Sequence, residues 1–212
     1  MADEQIPPGG TKVDDPPWQA WSPADITRRL AEVRAPWYVA GGWAIDLFLG
    51  RQTREHGDLE IAVPAPDFGA VREALAGYEF QVVGAGLAWP LDSPAFDVMH
   101  QTWVSEPGTG VYRLDIFREP QRDGAWVCRR DETIRLPYER IIRRTADGIP
   151  YLAPEIGLLF KAKWAAEPKN QADFGNVLPL LDRDAAGWLG RALRRVHPGH
   201  VWIGALDQAA AP

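Results

Sequence analysis

Residues 39–50 read VAGGWAIDLFLG and residues 54–63 read REHGDLEIAV, and these two stretches decide the fold. The first stretch begins inside a short run of strand-forming residues at positions 37–40, which the pair Gly41-Gly42 interrupts. An apolar-periodic segment follows as far as Gly50, and glycine is typical of the position just after a helix. The pattern predicts a strand, a glycine turn, a helix, a loop and a second strand.

The glycine pair is suited to binding a phosphate group. A helix that starts just after two glycines presents free backbone N–H groups and the positive end of its dipole. Gly41 and Gly42 have no Cβ atom, so the backbone can approach a ligand closely. A plain turn is the alternative interpretation of a glycine pair taken alone.

Two carboxylates follow on the predicted second strand. The alternation along residues 58–63 places Asp58 and Glu60 on one face of this strand and the aliphatic side chains on the other. Two adjacent carboxylates repel each other, and a divalent cation between them removes the repulsion. Such oxygen ligands suit Mg²⁺ that is shared with nucleotide phosphates. A solvated strand face is the alternative interpretation of this pair.

The order and spacing of these features resemble the polymerase-beta-like nucleotidyltransferase superfamily. From Gly41 to Ile61 the chain is similar, without a gap, to the small bacterial aminoglycoside and lincosamide nucleotidyltransferases. The resemblance implies an α/β (α+β) nucleotidyltransferase fold with a mixed β-sheet, followed by a small C-terminal helical subdomain. The wider superfamily usually has Ser after the glycines, whereas this chain has Trp43, which the antibiotic-modifying relatives share. The second carboxylate, Glu60, is one methylene longer than the commoner Asp.

The resemblance also implies a third carboxylate on a later strand. The segment RLDIF at residues 113–117 fits that position and makes Asp115 the candidate. An ion pair between Asp115 and Arg113, or another arginine, is the alternative. Asp97 is a competing third carboxylate and His100 is a candidate auxiliary base, both on a strand that we predict at residues 96–104.

Cations for the nucleotide phosphates are predicted at two places. Arg54, in the loop before the carboxylate strand, is either a partner of the triphosphate or a solvated loop residue. The segment PEIGLLFKAK at residues 154–163 resembles the first C-terminal helix of the same enzymes, in which a lysine reaches the phosphates, and Lys161 matches it. In PKNQADF, residues 168–174, Lys169 and Asp173 are four positions apart and are spaced to pair with each other.

The composition is that of an ordinary, mildly acidic globular protein. The 212 residues are 46% hydrophobic and 25% charged, with a formal net charge of −6. This balance argues against a general nucleic-acid binder, which usually has a basic surface. A single cysteine, Cys128, excludes an intramolecular disulfide and a cysteine metal site. Because no apolar run approaches a membrane span and no signal-peptide core begins the chain, we expect a cytoplasmic protein.

Three regions are expected along the chain. Residues 1–17 are rich in Pro and Gly and poor in apolar side chains, so they predict a disordered tail. Residues 18–150 are the predicted nucleotidyltransferase domain, and residues 151–212 are the predicted helical subdomain. Ser22, Pro23 and Asp25 predict the start of the first helix, with Ser22 as its N-cap.

These features together predict a nucleotidyltransferase. It would use Mg²⁺, one or two ions, to transfer a nucleoside monophosphate, AMP from ATP, to a hydroxyl of a small molecule such as an aminoglycoside or lincosamide antibiotic. The predicted catalytic residues, which also bind the metal, are Asp58, Glu60 and Asp115. The predicted nucleotide-binding residues are Gly41, Gly42, Trp43, Arg54 and Lys161.

The expected partners are the nucleotide and a small-molecule acceptor, with no nucleic acid and no membrane, and the expected assembly is a monomer or a homodimer. Two other functions are compatible with the same fold. One is a toxin-type nucleotidyltransferase that acts on tRNA or on protein, and the other is a catalytically silent nucleotide-binding module.

Overall fold

A computed structural model describes residues 6–211 of the chain. It divides into two compact units, a first unit of residues 6–39 and 56–121 and a second unit of residues 40–55 and 122–211. Residues 1–5 of the predicted tail, and residue 212 at the end of the predicted helical subdomain, lie outside the described residues. Across residues 6–211, no helix combines the length and the apolar character needed to cross a membrane. The predicted domain boundary near residue 150 stays a prediction.

Short strands and short helices alternate along the described part of the chain. The strands are β1 (Thr11–Lys12), β2 (Tyr38–Val39), β3 (Glu60–Pro64), β4 (Glu79–Gly84), β5 (Leu87–Pro90), β6 (Gln101–Ser105), β7 (Tyr112–Glu119), β8 (Gln121–Arg122), β9 (Ala125–Val127), β10 (Arg135–Leu136), β11 (Ile142–Arg144) and β12 (Pro150–Leu152). The α-helices are α1 (Pro23–Arg29), α2 (Gly41–Leu49), α3 (Phe68–Ala74), α4 (Ala95–Val98), α5 (Tyr138–Ile141), α6 (Pro154–Lys161), α7 (Pro168–Val177), α8 (Arg183–Val196) and α9 (Ile203–Ala210).

The first unit is organised around a mixed sheet, as the sequence predicts. Its strands follow the order β1-β5-β4-β6-β7-β3-β2. Strands β3 and β7 run parallel, whereas β6 is antiparallel to both β4 and β7. Ile61 and Val63 on β3, and Leu114 and Ile116 on β7, are fully buried. Side chains alternate along a strand, so Asp115 lies on the opposite face of β7 from Leu114 and Ile116.

The N-terminal segment of the first unit contacts the edge of this sheet. Strand β1 pairs with β5 in antiparallel register, and the indole Nε1 of Trp89 donates a hydrogen bond of 3.1 Å to the Pro8 carbonyl. Gly10 packs so closely on the same ring that a Cβ atom there would lie 2.6 Å from it. Described residues of the predicted disordered tail therefore have ordered contacts with Trp89 and β5.

Helix α1 begins as the sequence predicts. The Ser22 hydroxyl accepts a hydrogen bond of 3.1 Å from the Asp25 backbone, and the Asp25 carboxylate accepts one of 3.0 Å from the Ser22 backbone. This reciprocal arrangement is a capping box, which satisfies backbone donors that a helix leaves free at its start.

The strand predicted at residues 96–104 is wrong in its first part. Residues 95–98 form helix α4, and strand β6 begins only at Gln101. The Ser93 hydroxyl accepts a hydrogen bond of 3.2 Å from the Ala95 backbone, and the buried Arg118 guanidinium donates to the carbonyls of Phe96 and Met99. These contacts stabilise a turn against the strand preference of the apolar side chains.

The second unit is mainly helical. Helix α2 packs against α6 and α7, and α6 packs against α8, which in turn packs against α9. Ile45 of α2 lies against Gly157 of α6, where a Cβ atom would be 3.7 Å from the isoleucine Cδ1. The rings of Phe174 and Trp202 stack at a centroid distance of 4.3 Å. The short strands β11 and β12 form an antiparallel pair, as do β9 and β10.

Candidate active site

The first unit contains the three predicted catalytic carboxylates and places two of them, Glu60 and Asp115, opposite each other. Glu60 at the start of β3 lies opposite Asp115 on the parallel strand β7. The Asp115 backbone N–H donates a hydrogen bond of 2.8 Å to the Leu59 carbonyl, which fixes this register. Asp58 is two residues before Glu60, in the segment that precedes β3, and not on the strand as predicted. Asp58 is exposed, Glu60 is half-buried and Asp115 is buried.

Asp115 is held in an electrostatically unfavourable place. Its side chain is 3% exposed, and the Gln101 Nε2 donates a hydrogen bond of 2.8 Å to its Oδ2. The other oxygen, Oδ1, is buried and accepts no hydrogen bond of normal geometry within residues 6–211, although the Trp103 indole is near enough to lower the pKa of Asp115 as a donor. Burial raises the pKa of Asp115 well above its usual value, and the negative charge of Glu60 raises it further. The hydrogen bond from Gln101 lowers this pKa, and the charge of Asp58 raises it by a smaller amount.

These carboxylates fit a divalent cation by their chemistry. In the described part of the chain, no group of three or more His, Cys, Asp or Glu side chains is already arranged to hold a metal ion. Asp115, however, has a buried oxygen that accepts no hydrogen bond of normal geometry, and Glu60 and Asp58 disfavour its negative charge. A bound cation would offset this repulsion and use the free oxygen, and oxygen ligands are those that Mg²⁺ prefers.

Arg113 was an alternative partner for Asp115, and two other residues were competing or auxiliary candidates for the site. Arg113 pairs with Glu106 at 2.7 Å and donates to the Gln19 carbonyl. Asp97 lies on α4 and acts electrostatically on Arg118, whose pKa burial lowers to about 10 and Asp97 partly restores. His100 is exposed and precedes β6. Asp115, and not Asp97, is therefore the acid that lies opposite Glu60.

The start of α2, in the second unit, has the features of a phosphate-binding helix terminus. Gly41 has a φ angle of +61°, a conformation that glycine adopts readily and other residues rarely do. The N-cap residue, Ala40, makes no side-chain capping hydrogen bond, and the first turn contains no acidic residue. Gly42 is buried and Trp43 is half-buried. The helix therefore presents its N-terminal dipole without a side-chain cap from Ala40 and without a nearby acid in its first turn.

The loop after α2 is anchored by its own polar contacts. Helix α2 ends at the left-handed Gly50, as predicted. The Thr53 hydroxyl donates a hydrogen bond of 2.5 Å to the buried Asp46 carboxylate, and the Arg51 backbone donates one of 3.2 Å to the Asp46 carbonyl. This anchoring fixes the backbone just before Arg54.

The second unit also joins the two predicted phosphate-binding cations through an acid that the sequence did not mark as a site residue. The Lys161 Nζ lies 2.8 Å from the Asp173 Oδ2, and the Arg54 Nε lies 4.0 Å from the Asp173 Oδ1. Lys169 pairs instead with Glu167 at 3.4 Å, so the predicted pairing of Lys169 with Asp173 is wrong. The sequence predicted for Asp173 only this pairing with Lys169, and no pattern marked it as a partner of Lys161 or Arg54.

The fold is shared with solved nucleotidyltransferases. The lincosamide antibiotic adenylyltransferase LnuA, in a lincomycin-bound structure, superposes with a TM-score of 0.51 at 22% identity and covers 72% of this chain and 92% of its own. ANT(2'')-Ia in complex with adenylyl-2''-tobramycin superposes with a TM-score of 0.54 at 17% identity and covers 81% of this chain and 95% of its own. The chain therefore has the nucleotidyltransferase fold, which confirms the predicted fold class.

A more specific similarity covers the N-terminal part of the chain. The sequence model of a family described as aminoglycoside-2''-adenylyltransferase matches residues 24–87. A 2''-aminoglycoside nucleotidyltransferase of Escherichia coli and one of Klebsiella pneumoniae are each 32% identical over 78 residues, or 35% of this chain and 44% of the relative. The chain thus spans less than half the length of these relatives. The predicted resemblance to the aminoglycoside and lincosamide nucleotidyltransferases is confirmed, and the matched range includes Gly41, Asp58 and Glu60.

Proposed function

We propose that the protein is an adenylyltransferase that moves AMP from MgATP to a hydroxyl of a small molecule, with an aminoglycoside or lincosamide antibiotic as the acceptor. The observation that supports this best is the position of Glu60 opposite Asp115, with Asp58 near enough to raise the pKa of Asp115. Acids grouped in this way, with one buried oxygen unpaired, favour a metal-assisted reaction of phosphate groups.

In this proposal the three carboxylates hold the cation. Asp58, Glu60 and Asp115 would bind one or two Mg²⁺ ions, and Gln101 would keep the Asp115 Oδ2 oriented through its hydrogen bond. When bound, Mg²⁺ supplies positive charge that offsets the charge of the phosphates. The remaining contribution of the protein is to position the two substrates and to stabilise charge.

The nucleotide phosphates are bound by backbone and cationic groups. The backbone at Gly41 and Gly42 offers N–H groups at the start of α2, where the helix dipole favours an anion, and Trp43 follows them in the first turn as the third proposed nucleotide-binding residue. Arg54 and Lys161 would offset the negative charge of the triphosphate and of the departing pyrophosphate. Asp115 is also the proposed acceptor of the proton from the attacking hydroxyl, but a bound Mg²⁺ lowers the pKa of a carboxylate ligand, so Asp115 cannot fill both roles completely.

The acceptor class is taken from the relatives. The matched family is described as acting on aminoglycosides, and the structurally similar LnuA is described with lincomycin bound. An acidic protein with a net charge of −6 is electrostatically compatible with a cationic acceptor of this kind.

Intact-mass analysis of candidate acceptors tests the proposal. The protein is incubated with MgATP and a panel of aminoglycosides and lincosamides, beside the variants Asp58→Ala and Asp97→Ala. We expect one adenylyl group on a compound with the wild-type protein and with Asp97→Ala, and none with Asp58→Ala. A panel that stays unmodified with the wild-type protein contradicts the proposal, and so does a product that persists with Asp58→Ala.

A further inference from the structure

One buried carboxylate in the second unit contacts two cations. Asp173, on α7, has a side chain that is only 2% exposed. Its Oδ2 is 2.8 Å from the Lys161 Nζ at the end of α6, and its Oδ1 is 4.0 Å from the Arg54 Nε in the loop after α2. The Lys161 side chain is 13% exposed and that of Arg54 is 31% exposed. A single acid therefore joins side chains from three separate parts of the chain.

The contacts are ionic and not saturated by hydrogen bonds. Within residues 6–211, neither the Asp173 Oδ2 nor the Arg54 Nε has a hydrogen bond of normal geometry, although both atoms are buried. Two cations held near each other repel, and a carboxylate that lies between them offsets this repulsion. The cluster formed by Asp173, Lys161 and Arg54 contains two positive groups and one negative group, so these three side chains together have one net positive charge.

The acid is the rigid member of the cluster. The next residue, Phe174, stacks on Trp202, and the Asn170 Nδ2 donates a hydrogen bond of 2.9 Å to the Trp164 carbonyl near the start of α7. Helix α7 also packs against both α2 and α6. Lys161 and Arg54, in contrast, are long side chains with many rotamers, which a fixed partner can restrict.

We propose that Asp173 is a positioning residue that holds Lys161 and Arg54 in the arrangement that binds the nucleotide triphosphate. The inference rests on the proposed function, because it takes these two cations as phosphate ligands. In this proposal Asp173 acts through the two cations and not by binding the nucleotide itself. It restricts the two cationic side chains before the triphosphate binds, so that they lose less conformational entropy on binding. It also offsets the repulsion between the two cations in the free protein.

Binding of MgATP to the full chain, measured by titration calorimetry, tests this role. We expect Asp173→Asn to weaken the affinity by about tenfold. Asp207→Asn is the matched control, because Asp207 forms an exposed ion pair of 2.6 Å with Arg194 in the same unit. This control removes an aspartate charge and an ion pair without changing the cluster, and we expect wild-type affinity from it.

A double-mutant background separates positioning from a purely structural role. In Arg54→Met with Lys161→Met, the two cations are absent, so adding Asp173→Asn should not weaken MgATP binding further. An equal loss of affinity in both backgrounds overturns the proposal, and so does wild-type affinity of Asp173→Asn. If Asp173→Asn does not fold, Asp173→Glu decides: weaker MgATP binding by a chain with a near-normal melting temperature supports the proposal, and unchanged binding overturns it.

The readout separates this inference from the proposed function. A wild-type protein that binds MgATP but modifies no acceptor would contradict the transfer reaction and leave the binding comparison intact. If the wild-type protein transfers AMP and the Asp173→Asn variant binds MgATP with unchanged affinity, only the proposed role of Asp173 is overturned.

Discussion

Glu60 and Asp115 lie directly opposite each other on the parallel strands β3 and β7, although they are far apart in the chain. Parallel pairing with a fixed register places both carboxylates at the same level of the sheet. One of them is buried with an unpaired oxygen. Such an arrangement is costly without a positive partner, and this cost is expected at a functional site.

Replacement of Asp115 tests the central acid. We expect Asp115→Asn to lower the rate of adenylyl transfer by at least about 100-fold, because the amide can neither bind Mg²⁺ as a carboxylate does nor accept a proton. The rate is measured by mass spectrometry of the acceptor, with Asp97→Asn as the control for loss of a nearby acid. Near-normal turnover of Asp115→Asn would remove Asp115 from the site.

Gln101 tests how much the orientation of Asp115 matters. Gln101→Ala removes the donor to the Asp115 Oδ2, and changes of this kind near a metal ligand typically cost about 10- to 100-fold in metal affinity or activity. We expect the Mg²⁺ concentration for half-maximal activity to rise. Gln81→Ala is the matched control, since Gln81 accepts a hydrogen bond of 2.7 Å from Tyr112 on the same sheet. Equal behaviour of the two variants would show that the Gln101 contact is not used.

The two ends of α2 offer a matched pair of glycine substitutions. Gly41 and Gly50 have φ angles of +61° and +67°, so alanine at either position should lower the free energy of unfolding by about 1–2 kcal/mol. Only Gly41→Ala should also weaken MgATP binding, because only Gly41 is at the proposed phosphate site. Chemical denaturation and calorimetry measure the two effects. Similar MgATP affinity in both variants would argue against phosphate binding at the start of α2.

Acid titration of stability tests the contact between Asp131 and Arg195. Hydrogen bonds from Thr133 and then from Arg195 lower the pKa of Asp131 to about 2. Because the folded pKa is depressed, the stabilisation is present above the unfolded pKa of about 3.9 and is lost as the pH falls from there towards 2. We expect Asp131→Asn to flatten the fall of the melting temperature in this window. Asp147→Asn, at an exposed position of the same unit, controls for the loss of one carboxylate.

Local features of the sequence were sufficient to predict those structural elements that are stabilised by contacts between residues close together in the chain. The Ser22 capping box and the left-handed Gly50 each depend on contacts within a few residues, and both form as predicted. The strand predicted at Phe96 failed, because the distant Arg118 supplies the hydrogen bonds that hold a helical turn there. Within the tail predicted at residues 1–17, the Pro8 carbonyl accepts a hydrogen bond from Trp89, a contact with a distant residue that no local pattern of the tail indicates.

The sequence by itself determined the nucleotidyltransferase fold class through its resemblance to antibiotic-modifying relatives. This was possible because the order and spacing of the glycine turn, the helix and the carboxylate strand can be read directly along the chain. Only the tertiary structure decided that Asp115 lies opposite Glu60 and that Asp173 joins Lys161 to Arg54. Strand register and ion pairs between separate helices depend on how distant segments pack, and no local pattern of residues encodes that packing.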